Sequence, residues 1–264
     1  MKSDDMGRFF LEQLGFSVES IPTSDKKEAD FLVKIENVNA LIEVKLKVDN
    51  PKLLEKKEAT LKNGEVFVVE EKLGRNETLS GIIKKASSQL KSSDKKHDFK
   101  ILLFITSGIT AKTKSEQFKD TIYGSTQIFE VEKKSKLLKT CYFFRNSDFY
   151  RRKSIDAAII ICVTQDKAAI ELCLNTYSDR YELLKSSAFM KPFGEAVVDP
   201  IEREKNGNAY ILNGDVERRK TDFEEHFSSY DPVLIYLAKK YNTGLLHKVD
   251  FDCPSFITQY ESKP

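Results

Sequence analysis

Long hydrophobic runs, paired cysteines and histidines at ligand spacing are all missing from this sequence. Its longest apolar run, at 157–163, falls far short of the roughly 20 residues that a membrane-spanning helix needs. The N-terminus is polar and acidic, without the apolar segment that a secretory signal carries. The four cysteines are widely spaced, with no Cys-x-x-Cys pair, which predicts reduced core thiols rather than disulfides or a zinc site. Together these absences predict a cytoplasmic protein with no membrane partner.

An excess of charge of one sign is also missing. The 43 lysines and arginines nearly balance 41 aspartates and glutamates, so the formal net charge is only +2. The field of the whole molecule therefore gives no argument for nucleic-acid binding, and any such site must come from local clustering. Neither common glycine-rich phosphate loop occurs in the sequence, so use of ATP or a dinucleotide has no support.

Hydrophobic periodicity predicts an α/β protein, with an α+β mixed sheet and flanking helices. The predicted helices are 6–14, 77–92, 112–123 and 231–241, and the predicted strands are 16–21, 30–35, 40–47, 65–70, 99–106, 126–131, 156–164 and 168–174. Residues 48–63 are predicted to be a surface excursion, and the stretch after 174 to be rich in loops. The best boundary candidate, 133–139, separates a core at 1–135 from an accessory α+β region at 140–264; one continuous domain is the alternative.

One strand carries charges in an unusual place. Glu43 and Lys45 interrupt the apolar run 40–46 near its middle, whereas other acid-x-Lys pairs lie in loops, charged runs or at a strand's first residue. Side chains alternate along a strand, so Glu43 and Lys45 project together while Ile42 and Val44 face the core. A hairpin can bring Asp30, on the preceding strand, beside Glu43.

Two carboxylates on adjacent strands form an oxygen-rich site suited to Mg²⁺ or Mn²⁺, which can bind substrate phosphate oxygens at the same time. Such a metal lowers the pKa of a bound water and neutralises charge that develops on the phosphate. A neighbouring lysine can orient that water or stabilise the phosphate. Asp30, Glu43 and Lys45 therefore favour phosphodiester hydrolysis.

Asp30, twelve intervening residues and then Glu43-Val44-Lys45 resemble the motif of the PD-(D/E)XK, or restriction-endonuclease-like, nuclease superfamily. Ala29 stands where that motif has proline. The first helix also resembles the family's, with Asp4 ahead of the pair Gly15-Phe16 and with residues 7, 10 and 11 at its small, aromatic and leucine positions. Glu12 is the alternative acid in this helix, although it lies roughly opposite the apolar stripe.

The resemblance extends to the helix at 77–92, where Ala86-Ser87-Ser88-Gln89-Leu90 is similar to the family's Ala-x-x-Gln-Leu segment. It implies a restriction-endonuclease-like core in which Asp30, Glu43 and the Val44 carbonyl hold Mg²⁺ or Mn²⁺. The remaining implied roles are water positioning by Lys45, completion of the site by Asp4 and Gln89, and nucleic-acid contacts by Lys47, Lys84 and Lys85.

The resemblance predicts a metal-dependent nuclease, specifically an endonuclease with DNA preferred over RNA, acting in restriction, phage defence or repair. A homodimer, or a protein partner in a defence or repair complex, is compatible with this function. Two short basic clusters, at 151–153 beside Tyr150 and at 218–220, could follow a phosphate backbone, although such triplets are common on protein surfaces. The alternatives are a catalytically inactive member of the same fold, serving as a nucleic-acid-binding or assembly subunit, and an unrelated α/β protein with an accidental triplet.

Overall fold

The computed structural model describes residues 3–22, 28–131, 138–164, 167–218 and 231–258. Its helices, in chain order, are α1 (Ser3–Gln13), α2 (Pro51–Lys62), α3 (Glu77–Ser92), α4 (Ala111–Tyr123), α5 (Asp148–Arg151), α6 (Tyr181–Lys185), α7 (Pro200–Lys205) and α8 (Pro232–Lys240), with a 3₁₀ segment at Ala188–Ala196. Among these described helices, none is both long enough and apolar enough to cross a membrane.

The described strands form three sheets. They are β1 (Ser17–Ser20), β2 (Phe31–Ile35), β3 (Val38–Val48), β4 (Phe67–Lys72), β5 (Phe99–Ser107), β6 (Thr126–Glu130), β7 (Lys139–Tyr142), β8 (Ala157–Val163), β9 (Ala168–Leu174), β10 (Val197–Val198), β11 (Ala209–Ile211), β12 (Leu246–Val249) and β13 (Asp252–Ile257). The main sheet has seven strands in the order β1-β2-β3-β5-β8-β9-β10. Parallel pairing of β3, β5 and β8, with antiparallel strands on either side, makes this sheet mixed. The mixed α/β class is therefore confirmed.

Each face of the main sheet has its own core. On one face, Leu41 and Leu102 pack in a cluster with residues of α3 and α4. On the other face, Ile42 and Val44 pack with Leu11 of α1 and with aromatic residues of the 3₁₀ segment. Because β3 lies between these two cores, nearly all of its first seven side chains are buried, and any charged residue there enters the interior of the protein.

The structure adds detail that the sequence interpretation lacked. The strands at 65–70 and 126–131 exist, but β4 pairs with β13 and β6 pairs with β7 and β12, so neither belongs to the main sheet. Residues 51–62 form helix α2, which begins at the N-cap Asn50. The stretch after residue 174 contains α6, α7, β10 and β11, each too short to give a clear periodicity.

The main sheet draws strands from both sides of the predicted boundary. Strands β8, β9 and β10 follow residue 140 in the sequence, and β8 pairs along its whole length with β5. Most of the boundary candidate, residues 133–137, lies outside the described residues. The second sheet, β11-β7-β6-β12, packs against α8 around a separate hydrophobic cluster.

Candidate active site

Strand β3 carries Glu43 and Lys45 on the side of the sheet that faces α3. Alternation places Ile42 and Val44 in the opposite core, together with α1. The side chain of Glu43 is fully buried, and that of Lys45 is 26% exposed. Glu43 is therefore a carboxylate inside the protein, and Lys45 extends from it towards solvent.

Asp30 is held beside this strand by backbone pairing. Its N–H donates to the carbonyl of Ile42 over 3.0 Å, and its Oδ2 accepts from the N–H of Val44 over 2.7 Å. The preceding N–H, of Ala29, donates to the hydroxyl of Ser93 over 2.7 Å. The segment that carries Asp30 is thus tied both to β3 and to the end of α3.

A chain of side-chain hydrogen bonds connects β3 to α3. Lys45 Nζ donates to Glu43 Oε1 and, over 3.1 Å, to Gln89 Oε1. The amide nitrogen of Gln89 in turn donates to the carbonyl of Glu28 over 3.4 Å. Gln89 therefore fixes the lysine ammonium between two acceptors and connects it to the segment just ahead of Asp30.

Helix α1 brings Asp4 to the same site. The helix packs closely on β3, since a Cβ added to Gly7 would lie 2.9 Å from a methyl group of Val44. The negative charge of Asp4 raises the pKa of both acids of the site. Glu12, the alternative acid, is instead paired with Arg8 at 3.3 Å, and half of its side chain is exposed. The effect of its charge on these two pKa values, smaller than that of burial, thus associates Asp4, and not Glu12, with Asp30 and Glu43.

The two central carboxyls hold protons more tightly than ordinary acids. Burial raises the pKa of Glu43 to about 7, with the charge of Asp30 adding to the rise and the hydrogen bond from Lys45 opposing it. Burial also raises the pKa of Asp30, against the hydrogen bond from the Val44 N–H. The protein thus keeps two neighbouring acids in an environment where their negative charges are unfavourable without a cation.

Each of these acids uses one oxygen to accept a hydrogen bond from a fixed donor. Asp30 uses Oδ2 for the Val44 N–H, and Glu43 uses Oε1 for Lys45. Glu43 Oε2 is buried, and no donor among the described residues hydrogen-bonds to it. The Glu43 carboxyl lies instead against that of Asp30, with which it can share a proton. A buried oxygen without a fixed donor is costly, and a cation is one ligand that would satisfy it.

The described residues do not form a metal site in which protein side chains supply most of the ligands. Within the part of the chain that the structure describes, no group of three or more histidine, cysteine, aspartate and glutamate side chains is arranged to hold a metal ion. Two carboxylates still fit Mg²⁺, which commonly binds one or two carboxylates and keeps waters and substrate phosphates as its other ligands. Val44 contributes its N–H to Asp30, and its carbonyl stays a candidate ligand from the resemblance.

The three lysines predicted to contact nucleic acid lie around this site without joining its hydrogen bonds. Lys47 follows Lys45 on the same side of β3 and is partly buried. Lys84 and Lys85 are exposed on α3, about one turn ahead of Gln89. Their position is compatible with phosphate contacts, and these contacts stay a prediction.

The two basic clusters of the sequence differ from each other. Arg152 is paired at 3.0 Å with the buried carboxylate of Asp148, so it supports the fold. Its neighbour Arg151 is exposed, as is Arg218. Residues 219 and 220 of the second cluster lie outside the described residues.

A cleft of about 780 Å³ lies elsewhere, at the carboxyl ends of β3, β5 and β8. Its acid, Asp49, accepts hydrogen bonds from the N–H groups of Ile109 and Thr110 and from the Thr110 hydroxyl, at 2.5 to 3.3 Å. Asp49 therefore holds the loop ahead of α4, and its oxygens already have partners.

Sequence reasoning missed Ser93, whose hydroxyl receives the Ala29 N–H and donates to the Gln89 carbonyl over 3.1 Å. A serine just after a helix is too common to be singled out from sequence.

Comparisons with protein-family models, with curated proteins and with solved structures find no match for this chain. The resemblance to the nuclease superfamily therefore depends on the residues described above.

Proposed function

We propose that this protein is a metal-dependent nuclease that hydrolyses phosphodiester bonds in nucleic acid, with Asp30, Glu43 and Lys45 at its active site. The observation that carries the proposal is the fully buried Glu43, whose Oε2 receives no hydrogen bond from a fixed donor among the described residues. It lies beside a second acid, Asp30, and a lysine held by Gln89. A proton shared with Asp30 or a divalent cation would satisfy this oxygen, and the cation would also relieve the repulsion between the two carboxylates.

In this proposal, Asp30 and Glu43 would hold Mg²⁺ or Mn²⁺, and the Val44 carbonyl would be a further ligand. When bound, the metal would lower the pKa of a coordinated water and neutralise developing charge on the phosphate. Lys45 Nζ would donate a hydrogen bond to the attacking water or to a phosphate oxygen. Gln89 would hold that ammonium in place, because its Oε1 accepts from Nζ over 3.1 Å.

Asp4 would add negative charge at the edge of the site and so favour cation binding. Lys47, Lys84 and Lys85 would contact the phosphate backbone around it. The preference for DNA, a role in restriction, phage defence or repair, and a homodimer or partner complex follow from the resemblance alone. A catalytically inactive nucleic-acid-binding or assembly subunit is the alternative, and the absence of a three-residue ligand group among the described residues is the observation that favours it.

The test is cleavage of plasmid and of single-stranded DNA by purified protein with Mg²⁺ or Mn²⁺, with EDTA as the negative control. We expect Lys45→Ala to lower the cleavage rate by about 10²–10³-fold, as removal of one transition-state donor does in other enzymes. DNA binding measured in EDTA should change little, since Lys45 is only one of several basic groups near the site. Cleavage that persists in EDTA or in this variant would contradict the mechanism.

The chain offers a matched control, because Glu70 and Lys72 repeat the Glu-x-Lys pattern on β4, where both residues are exposed. Lys72→Ala should leave cleavage at the wild-type rate. Equal loss in Lys45→Ala and Lys72→Ala would indicate a general effect of charge rather than an active site. DNA binding by the wild-type protein without any cleavage would support the inactive subunit instead.

A further inference from the structure

We propose that a second cleft, towards the β9 edge of the main sheet, binds an unpaired nucleotide through its base and its phosphate. The cleft has a volume of about 650 Å³ and is formed by the loops after β7, β9 and β11 together with α5. Its volume lies within the usual range for small-molecule sites. One of its walls, Tyr177, comes three residues after β9, and β9 is three strand positions from β3 in the sheet. Because strands are about 4.8 Å apart, this site is separate from Glu43.

Aromatic rings provide the surface for a base. Tyr150 and Tyr177 meet edge to face at 5.0 Å, and Tyr177 meets Phe143 in the same way at 4.7 Å. Phe143 is buried, whereas 58% of Tyr150 is exposed. An exposed ring held by its neighbours is suited to stacking against a nucleobase, and stacking of this kind tolerates different bases.

Arginines provide the complementary charge for a phosphate. Arg145, Arg151 and Arg218 line the cleft, against one acid, Asp215. All three arginines are exposed, and none forms an ion pair with an acid among the described residues. The charge of Arg218 lowers the pKa of Tyr177, against the rise caused by burial, so the guanidinium lies near the aromatic wall. Arg152, by contrast, is paired with Asp148 and not available.

The wall that carries Arg145 is held by hydrogen bonds to the turn at Gly124. The Arg145 N–H donates to the Gly124 carbonyl over 2.9 Å. Gly124 has φ +62° and lies so close that an added Cβ would be 2.5 Å from the Arg145 carbonyl oxygen. The Ser147 hydroxyl donates to the Ile122 carbonyl over 2.7 Å, next to the same turn. A preorganised wall loses little conformational entropy when a ligand binds.

Planar rings beside three exposed guanidinium groups match one chemistry, a base attached to a phosphate. That chemistry has two sources, an unpaired position in a single strand and a free mononucleotide. The site does not rest on the nuclease proposal, since it uses none of the residues of the candidate active site. Its test measures binding without turnover, so failure of one proposal leaves the other intact.

The experiment is fluorescence anisotropy of a labelled short oligothymidylate with the full chain in EDTA. The competitors are the unlabelled oligothymidylate, thymidine 5′-monophosphate and an abasic strand of the same length. We expect Tyr150→Leu to weaken binding about tenfold, the effect of losing one stacked base. Arg218→Ala should weaken binding and reduce the slope of log affinity against log salt by about 0.7, the value for one phosphate contact on a single strand.

Two control variants have similar chemistry at the opposite edge of the sheet. Phe9→Leu removes an aromatic ring that is 51% exposed on α1, and Lys34→Ala removes an exposed positive charge on β2. Both should bind the oligonucleotide like wild type, and thermal melting should show that all four variants are folded.

Displacement by the monophosphate would support the site with a free nucleotide as its ligand. If the unlabelled oligonucleotide displaces the label but the monophosphate and the abasic strand do not, the result would support the proposed site, with single-stranded nucleic acid as its ligand. Three results would overturn the proposal: no binding of either ligand, equal competition by the abasic strand, or the same losses in the control variants as in Tyr150→Leu and Arg218→Ala.

Discussion

Replacing Glu43 by glutamine should stabilise the protein at high pH and much less at low pH. Burial raises the pKa of Glu43 from 4.5 to about 7 in the folded state. The folded state therefore binds this proton more tightly than the unfolded state does. Stability from the bound proton is fully present below pH 4.5 and is lost as the pH rises through 7, because the ionised carboxylate must then stay buried.

The size of the effect follows from linkage. Each pKa unit corresponds to about 1.4 kcal/mol, so ionising Glu43 costs the folded state about 3 kcal/mol at pH 8 and about 1 kcal/mol at pH 5. Glutamine carries no such charge. Its amide oxygen can still accept from Lys45, and its amide nitrogen can donate to Asp30. Glu43→Gln should therefore raise the free energy of unfolding by about 2 kcal/mol more at pH 8 than at pH 5.

The measurement is urea unfolding of wild type and Glu43→Gln at both pH values, without divalent metal. Glu70→Gln, at an exposed position on β4, is the matched control and should change stability little at either pH. Mg²⁺ added at pH 8 should stabilise the wild type and not Glu43→Gln, since binding to the folded state alone raises its stability. A loss of stability in Glu43→Gln at pH 8 would refute the reasoning and make Glu43 a structural residue.

Two further predictions concern α1 and the turn beneath the second cleft. Asp4→Asn should raise the Mg²⁺ concentration needed for cleavage several-fold by removing one negative charge from the site, while Glu12→Gln should not; equal effects in a metal titration would contradict the assignment of Asp4. Gly124→Ala should lower stability by more than about 2 kcal/mol, since it combines an unfavourable φ of +62° with a clash against Arg145. Gly64→Ala has φ +74° and nothing within 4 Å of the added Cβ, so thermal unfolding should show only the backbone cost of about 1 kcal/mol.

The candidate site could be predicted from sequence because its main signals are local. Glu43 and Lys45 lie two residues apart, so strand alternation alone places them on one side. Asp30 precedes a short hairpin, and the register Phe31 to Ile42 brings it opposite Glu43. Gln89 lies on the packed face of a long, strongly periodic helix. Each of these placements can be inferred from residues close together in the sequence or from one tight turn.

The sheet to which each strand belongs could not be predicted from the sequence in the same way. Strand β4 pairs with β13, where Val69 is opposite Ser255, and β6 pairs with β12, where Gln127 is opposite Val249. Partner choice over more than a hundred residues depends on packing that no local pattern encodes. The cleft lined by Tyr150 and Tyr177 was missed for the same reason, because three loops distant in sequence meet only after the sheet has formed.

The buried acid in the middle of β3 gives the strongest physical reason to infer a function at this site. An apolar residue at position 43 would pack between α3 and β5 without any cost of desolvation, as Leu41 does on the same side of the strand. The chain instead buries an acid, places a second acid against it and leaves an oxygen of Glu43 without a fixed donor among the described residues. Lys45 offsets only part of this cost, since the pKa of Glu43 is still raised to about 7. A local arrangement that weakens the fold without improving its packing is expected at sites selected for binding or catalysis. Removing the acid should therefore strengthen the fold while abolishing metal binding, a combination that a structural ion pair would not produce.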